Sequence, residues 1–126
     1  MKAICIAFAV ALIAAGPAPS QRKAVLDALR PAVEAKLGPN LEFVVQVIRV
    51  EDGWAFVMAD PQRRGGKPID GKRIFGEDCE NMDGLRVDAV LQLKNGRWEV
   101  VDYGIGATDV WYCNIGPKKL KRGYGC

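Results

Sequence analysis

The chain has 126 residues, with 18 basic and 15 acidic side chains, a formal charge of +3 and no histidine. That length holds one core of ordinary domain size, since single domains commonly run to about 100–150 residues. The missing imidazole removes the usual general base near neutral pH and the commonest zinc ligand, which argues against much hydrolytic and zinc chemistry.

Met1-Lys2 makes a short positive start, and an apolar run from Ala3 to Ala15 follows. The run suits a signal-peptide core of roughly 7–15 residues and falls short of the roughly 20 that a membrane span needs. Ala18 and Ser20 place small side chains where a signal peptidase reads them, just before Gln21. Residues 1–20 are therefore expected to leave as a cleaved signal peptide, and the protein to work in the periplasm or as a secreted domain. Residues 21–117 are mildly acidic and are expected to form a single domain. Residues 118–126 hold Lys118, Lys119, Lys121 and Arg122, and read as a basic C-terminal tail in solvent. Peripheral contact with the envelope, through anionic lipids or polymers, is the alternative for that tail. Charge gathered at one end rather than over a folded face predicts no nucleic-acid partner.

Residues 22–37 read as a helix, because Leu26, Leu29, Val33 and Leu37 share one face. Gly38-Pro39 ends it, and Pro31 inside it predicts a kink. Strand patterns follow at 41–50 and 54–59, joined through Asp52-Gly53, a hairpin signal. A second hairpin is expected from residues 85–94 and 97–103 around Asn95-Gly96. Gly104 and Gly106 suggest a bulge or bend before Ala107–Cys113, which is a candidate fifth strand. Between the hairpins, residues 61–84 read as a long loop rich in glycine, proline and charge. The expected fold class is α+β, with one kinked helix packed on a curved antiparallel sheet of four to five strands built from two hairpins.

The order helix, hairpin, long loop, hairpin resembles cystatin-like and NTF2-like α+β domains, in which a curved sheet wraps a helix. The chain also resembles small exported bacterial proteins, through Trp54-Ala55-Phe56-Val57 with Pro61-Gln62 and through Gly106 to Tyr112. The resemblance implies a fold and not a chemistry, because such domains serve many functions.

Three cysteines remain after the leader: Cys79, Cys113 and Cys126. The register set by Asn95-Gly96 brings Cys79 within one residue of facing Cys113, so a Cys79–Cys113 disulfide is favoured. Cys113–Cys126 is its main rival. Several apparent motifs fail. Gly104 to Asp109 lacks the last glycine and the following helix of a dinucleotide fingerprint, and Gly65-Gly66-Lys67 runs into Pro68. Glu77 to Gly84 is acidic but does not match a calcium loop. No cofactor and no metal are expected.

The same register turns Asp102 toward Ala89 on the apolar face, where a carboxylate is costly unless paired or hydrogen-bonded, and an acid lining a cavity there is a candidate to bind a ligand. In the preferred competing reading, a bulge rotates Asp102 to solvent and brings Val101 and Tyr103 inward. Asp109, Trp111 and Tyr112 complete the candidate ligand-binding residues. The expected function is a non-catalytic binding module for a protein or small molecule, with an inhibitor or immunity-type role within that class. The alternatives are a small enzyme using Asp102 as acid or base, and an envelope-associated structural protein held by its basic tail.

Overall fold

The computed structural model describes residues 16–126. The apolar run of the expected leader, residues 3–15, lies outside the described residues. The first element, α1 (Pro19–Leu37), has Pro19 in its first turn, where a missing N–H costs nothing. It buries Val25, Leu29, Val33 and Leu37, one residue every fourth position. Leu26, expected on that stripe, sits beside it, half-buried. The helix assignment continues through Pro31 and ends where Gly38 donates its N–H to the Glu34 carbonyl at 2.8 Å.

Four strands follow in chain order and in spatial order, β1 (Leu41–Glu51), β2 (Trp54–Arg63), β3 (Val87–Lys94) and β4 (Arg97–Ile105). Every pairing is antiparallel, so the sheet is a meander with β1 and β4 at its edges. The hairpin signals fall where expected. Glu51 faces Trp54 across Asp52-Gly53, and Lys94 faces Arg97 across Asn95-Gly96. All four turn residues have positive φ, as a two-residue turn matching the strand twist requires.

β2 runs four residues past its expected end and includes Pro61. Beyond Ala59 the strand pairs with β1 alone, and a sheet tolerates proline where one side has no neighbour. The expected loop after it is largely ordered into α2 (Gly71–Phe75) and a 3₁₀ turn over Gly76–Asn81. Asp70 starts α2 by accepting the Arg73 N–H at 3.1 Å.

One face of the sheet carries α1. Ala55, Val57, Ala59, Val87, Ala89 and Leu91 meet the helix stripe in the main core. Two polar links fix the helix on the sheet. Tyr103 donates its hydroxyl to the Ala32 carbonyl at 3.2 Å, and Arg30 donates to the Leu41 carbonyl at 2.7 Å.

The second face is covered as well. Segment 107–113 forms no fifth strand; the chain leaves β4 at Ile105 and crosses under the sheet, making 3₁₀ turns at Trp111–Asn114 and Lys118–Lys121. Phe56, Met58 and Val90 of the sheet meet Tyr112 and Leu120 in a second buried cluster. Residues 118–126 are thus part of the folded body and not a solvated tail. They contribute apolar surface to a sheet face that would otherwise face water, and each large side chain buried there is worth about 1.5–3 kcal/mol.

This crossing also decides the disulfide. Cys113 pairs with Cys126, with a Cα–Cα separation of 5.4 Å, and Cys79 is free. The favoured Cys79–Cys113 bridge is therefore corrected to its rival. Cys79 lies against Gly71 at the start of α2, whereas Cys113 has been carried to the second face, so the strand register never brings the two thiols together. Replacing Cys113 and Cys126 together by serine should cost about 3 kcal/mol on the loop-entropy account. Cys79→Ala should move the urea midpoint far less, and non-reducing peptide mapping that linked Cys79 to Cys113 would overturn this pairing.

Candidate functional site

The expected site residues do not converge. Asp102 is exposed and accepts the Tyr103 N–H at 2.8 Å, so it turns to solvent as the competing reading had it. The cause is a bulge at Val101. Leu91 faces Val100 as the turn dictates, but Val90 then faces Asp102 and Ala89 faces Tyr103, one residue out of step. Tyr103 is brought onto the helix face, while Val101 stays 43% exposed instead of turning inward. Asp109 is exposed on the approach to the first 3₁₀ turn. Trp111 is half-buried and Tyr112 is buried, with the Tyr112 hydroxyl donating to the Tyr124 carbonyl at 2.7 Å. Phe56 stacks against Tyr112 at a ring separation of 4.9 Å, so both aromatics serve packing first.

The titratable groups drawn into the interior belong to the same cover. Asp88 is fully buried on the second face, where strand alternation from Val87 and Ala89 puts it. Arg86, two residues away on the same face, donates Nε to it at 2.9 Å and Nη2 at 3.4 Å. Burial raises the Asp88 carboxyl above its ordinary value, and the Arg86 guanidinium only partly offsets this. Opposite Asp88 lies Gly104, whose lack of a Cβ admits the Trp111 indole; an added Cβ would stand 3.0 Å from its Nε1. That Nε1 is buried with no hydrogen-bond partner among the described residues.

Lys121 is the second buried charge. Its ammonium donates to the carbonyls of Cys113, Ile115 and Gly116. Burial pulls it below the ordinary lysine value, and the nearby Lys118 adds to the effect. Arg49 on β1 donates to the carbonyls of Leu120 and Arg122 at 3.2 and 3.0 Å and lies over the Tyr124 ring at 4.8 Å. These carbonyls belong to a segment with no ladder to satisfy them, so cationic side chains do it instead. Sequence reasoning missed Arg49, Asp88 and Lys121 as a set. Their signal was the unbroken apolar run Trp54 to Ala59, which implies cover on both faces.

An open groove of about 700 Å³ runs along the outer edge of β1. Its floor is β1 from Gln46 to Glu51, one wall is Lys119, Leu120 and Tyr124, and the other is Gly16, Pro17, Ala18 and Gln21. Lys119 is held at the rim by Glu51 at 3.1 Å and Asp52 at 2.8 Å, which raise its ammonium above the ordinary value. A Cβ on Gly16 would stand 3.8 Å from the Ile48 carbonyl, and Ala18 has the extended backbone of φ −57° and ψ 150°. The chain's own Gly16-Pro17-Ala18 segment therefore runs beside β1 as one wall of the groove, with a bend at Pro17. Among the described residues no group of three or more histidine, cysteine or carboxylate side chains is placed to hold a metal ion.

The buried pair makes an asymmetric prediction. Arg86 is 29% exposed and stays hydrated without its partner, whereas Asp88 has no access to water. Arg86→Met should therefore cost about 3–5 kcal/mol, and Asp88→Asn only about 1–3 kcal/mol. With its carboxyl raised above 3.8, the folded state holds the proton more tightly than the unfolded chain. Stability from this group accordingly falls as pH rises through the raised value, more steeply in Arg86→Met. Urea midpoints at acidic and neutral pH check both statements, and equal losses in the two variants would contradict them. No family model, curated protein or solved structure matches the chain.

Proposed function

We propose that the protein is an exported, non-catalytic binding module that takes an extended peptide segment of a partner into the groove beside β1. The observation that carries this reading is the open groove along the edge of β1, one wall of which is the chain's own Gly16-Pro17-Ala18. Those residues precede the expected cut between Ser20 and Gln21, so the mature protein would lose that wall and leave the edge of β1 open. Tyr124 and Leu120 offer an apolar wall, and the edge of β1 offers unpaired backbone groups, which together suit an extended, proline-containing backbone.

Export is supported by the Cys113–Cys126 disulfide, which persists in oxidising compartments. No helix of the described residues is long and apolar enough to cross a membrane. The order helix, hairpin, connector, hairpin supports the cystatin-like or NTF2-like resemblance as part of the same proposal. A catalytic role for Asp102 draws no support from its exposed position. An envelope anchor draws little from the C-terminal cations, since Lys119 is held in ion pairs and Lys121 is buried among carbonyls.

The test is an NMR titration of residues 21–126 with a synthetic peptide of residues 16–20. Amide shifts confined to Gln46–Glu51 and the neighbourhood of Tyr124 are expected, and a chain retaining residues 16–20 should respond at least tenfold more weakly. Shifts elsewhere, or equal responses from the two chains, would overturn the groove as the binding surface. Asp102→Asn should leave the titration unchanged.

A further inference from the structure

We propose that the mature protein carries a pyroglutamate at its N-terminus, formed from Gln21. The inference rests on the export reading, with cleavage between Ser20 and Gln21. The structure places that bond at an accessible point: Pro19 to Ala24 are all exposed, and the first buried residue of α1 is Val25. Among the described residues, removing Gly16 to Ser20 takes away the Ala18 carbonyl that accepts the Arg22 N–H at 2.9 Å, but no buried side chain. The helix keeps its whole apolar stripe, and Gln21 becomes its first residue.

Two features then favour ring closure. The new α-amine stands at the N-terminus of α1, where the aligned peptide dipoles present partial positive charge. An ammonium is disfavoured there, so more of the amine is in the neutral, nucleophilic form. The Gln21 side chain is exposed on the groove wall, so its carboxamide can turn back toward its own amine. Attack within one residue closes a five-membered ring and needs no encounter with a second molecule. The amine nitrogen forms a bond to Cδ, the bond from Cδ to Nε2 breaks, and ammonia leaves with a proton from the amine. Nothing is oxidised or reduced. The lactam that results is uncharged, relieves the unfavourable charge at the helix start, and presents no free amine to an aminopeptidase. A ligand entering the groove would meet this neutral ring in place of an ammonium group.

Intact mass spectrometry of the protein from the exported fraction of producing cells tests this, without reducing agent. The expected mass is lower by one ammonia than that of residues 21–126 with the Cys113–Cys126 disulfide. N-terminal sequencing should be blocked until pyroglutamyl aminopeptidase removes one residue and exposes Arg22. A protein beginning at Gln21 whose free amine persists through incubation at neutral pH would overturn the proposal and leave the export reading standing. A protein beginning at another residue after the apolar run would overturn the proposal alone, and one still beginning at Met1 would overturn the export reading with it. The Gln21→Ala variant should begin with a readable free amine, and a block persisting in that variant would remove Gln21 as its source.

Discussion

Everything in this fold depends on β2 being buried on both faces. Five consecutive residues of that strand, Ala55 to Ala59, are buried, which alternation along a half-exposed strand forbids. Helix α1 accounts for Ala55, Val57 and Ala59, and leaves Phe56 and Met58 pointing the other way. A second layer is then obligatory, and the C-terminal segment is what the chain supplies. That segment has only two 3₁₀ turns of regular structure, so most of its backbone polar groups find no ladder. Arg49 and Lys121 reach its carbonyls, and the Tyr112 hydroxyl reaches the carbonyl of Tyr124. The disulfide closes the segment on itself, joining the first 3₁₀ turn to the last residue. The cations that look like a tail in the sequence are thus partly structural, placed to satisfy an irregular layer without making it regular.

The two edges of the sheet are treated alike. β1 carries an extra residue at Gln46 and β4 an extra residue at Val101, so each edge is bent out of a uniform ladder. Bulged edges are poor templates for indiscriminate strand pairing. The exposed apolar side chains Val44 and Val101 lie close to these bulges. β1 differs from β4 in having a groove built against it, whose walls come from the start of α1 and from the C-terminal layer. The layer that closes the core therefore also shapes the groove beside β1.

Local chemistry was the legible part of the sequence. Asn95-Gly96 and Asp52-Gly53 fixed both hairpins, and Gly38-Pro39 fixed the end of α1, because each rests on a backbone conformation few other residues adopt. Long-range choices were less so. Segment 107–126 has no periodicity of its own, so nothing in it announces that it covers a sheet face. The cover was readable only from its partner, in the apolar run of β2. The disulfide followed the same division, since choosing between Cys79 and Cys126 required knowing which face Cys113 would reach. Asp102 shows how narrow the margin was, because a single bulged residue moved its partner from Ala89 to Val90 and its carboxylate from interior to solvent.

Buried charge is often taken as a mark of a working site, yet the two buried charges among the described residues have structural occupations. Asp88 neutralises a guanidinium that reaches water, and Lys121 is surrounded by carbonyls with no carboxylate among its partners. A group whose hydrogen bonds hold a layer in place is poorly suited to release them to a substrate, since each release exposes the layer's own backbone. The groove has the opposite character. Its floor is an edge strand, its rim charge on Lys119 is exposed, and one of its walls is the piece of chain that export would remove. Removing Gly16 to Ser20 deletes no member of either buried cluster and none of the contacts that secure the C-terminal layer. Cutting that wall away would therefore expose the β1 edge without loosening the core, and the proposed binding at β1 draws on that separation of roles.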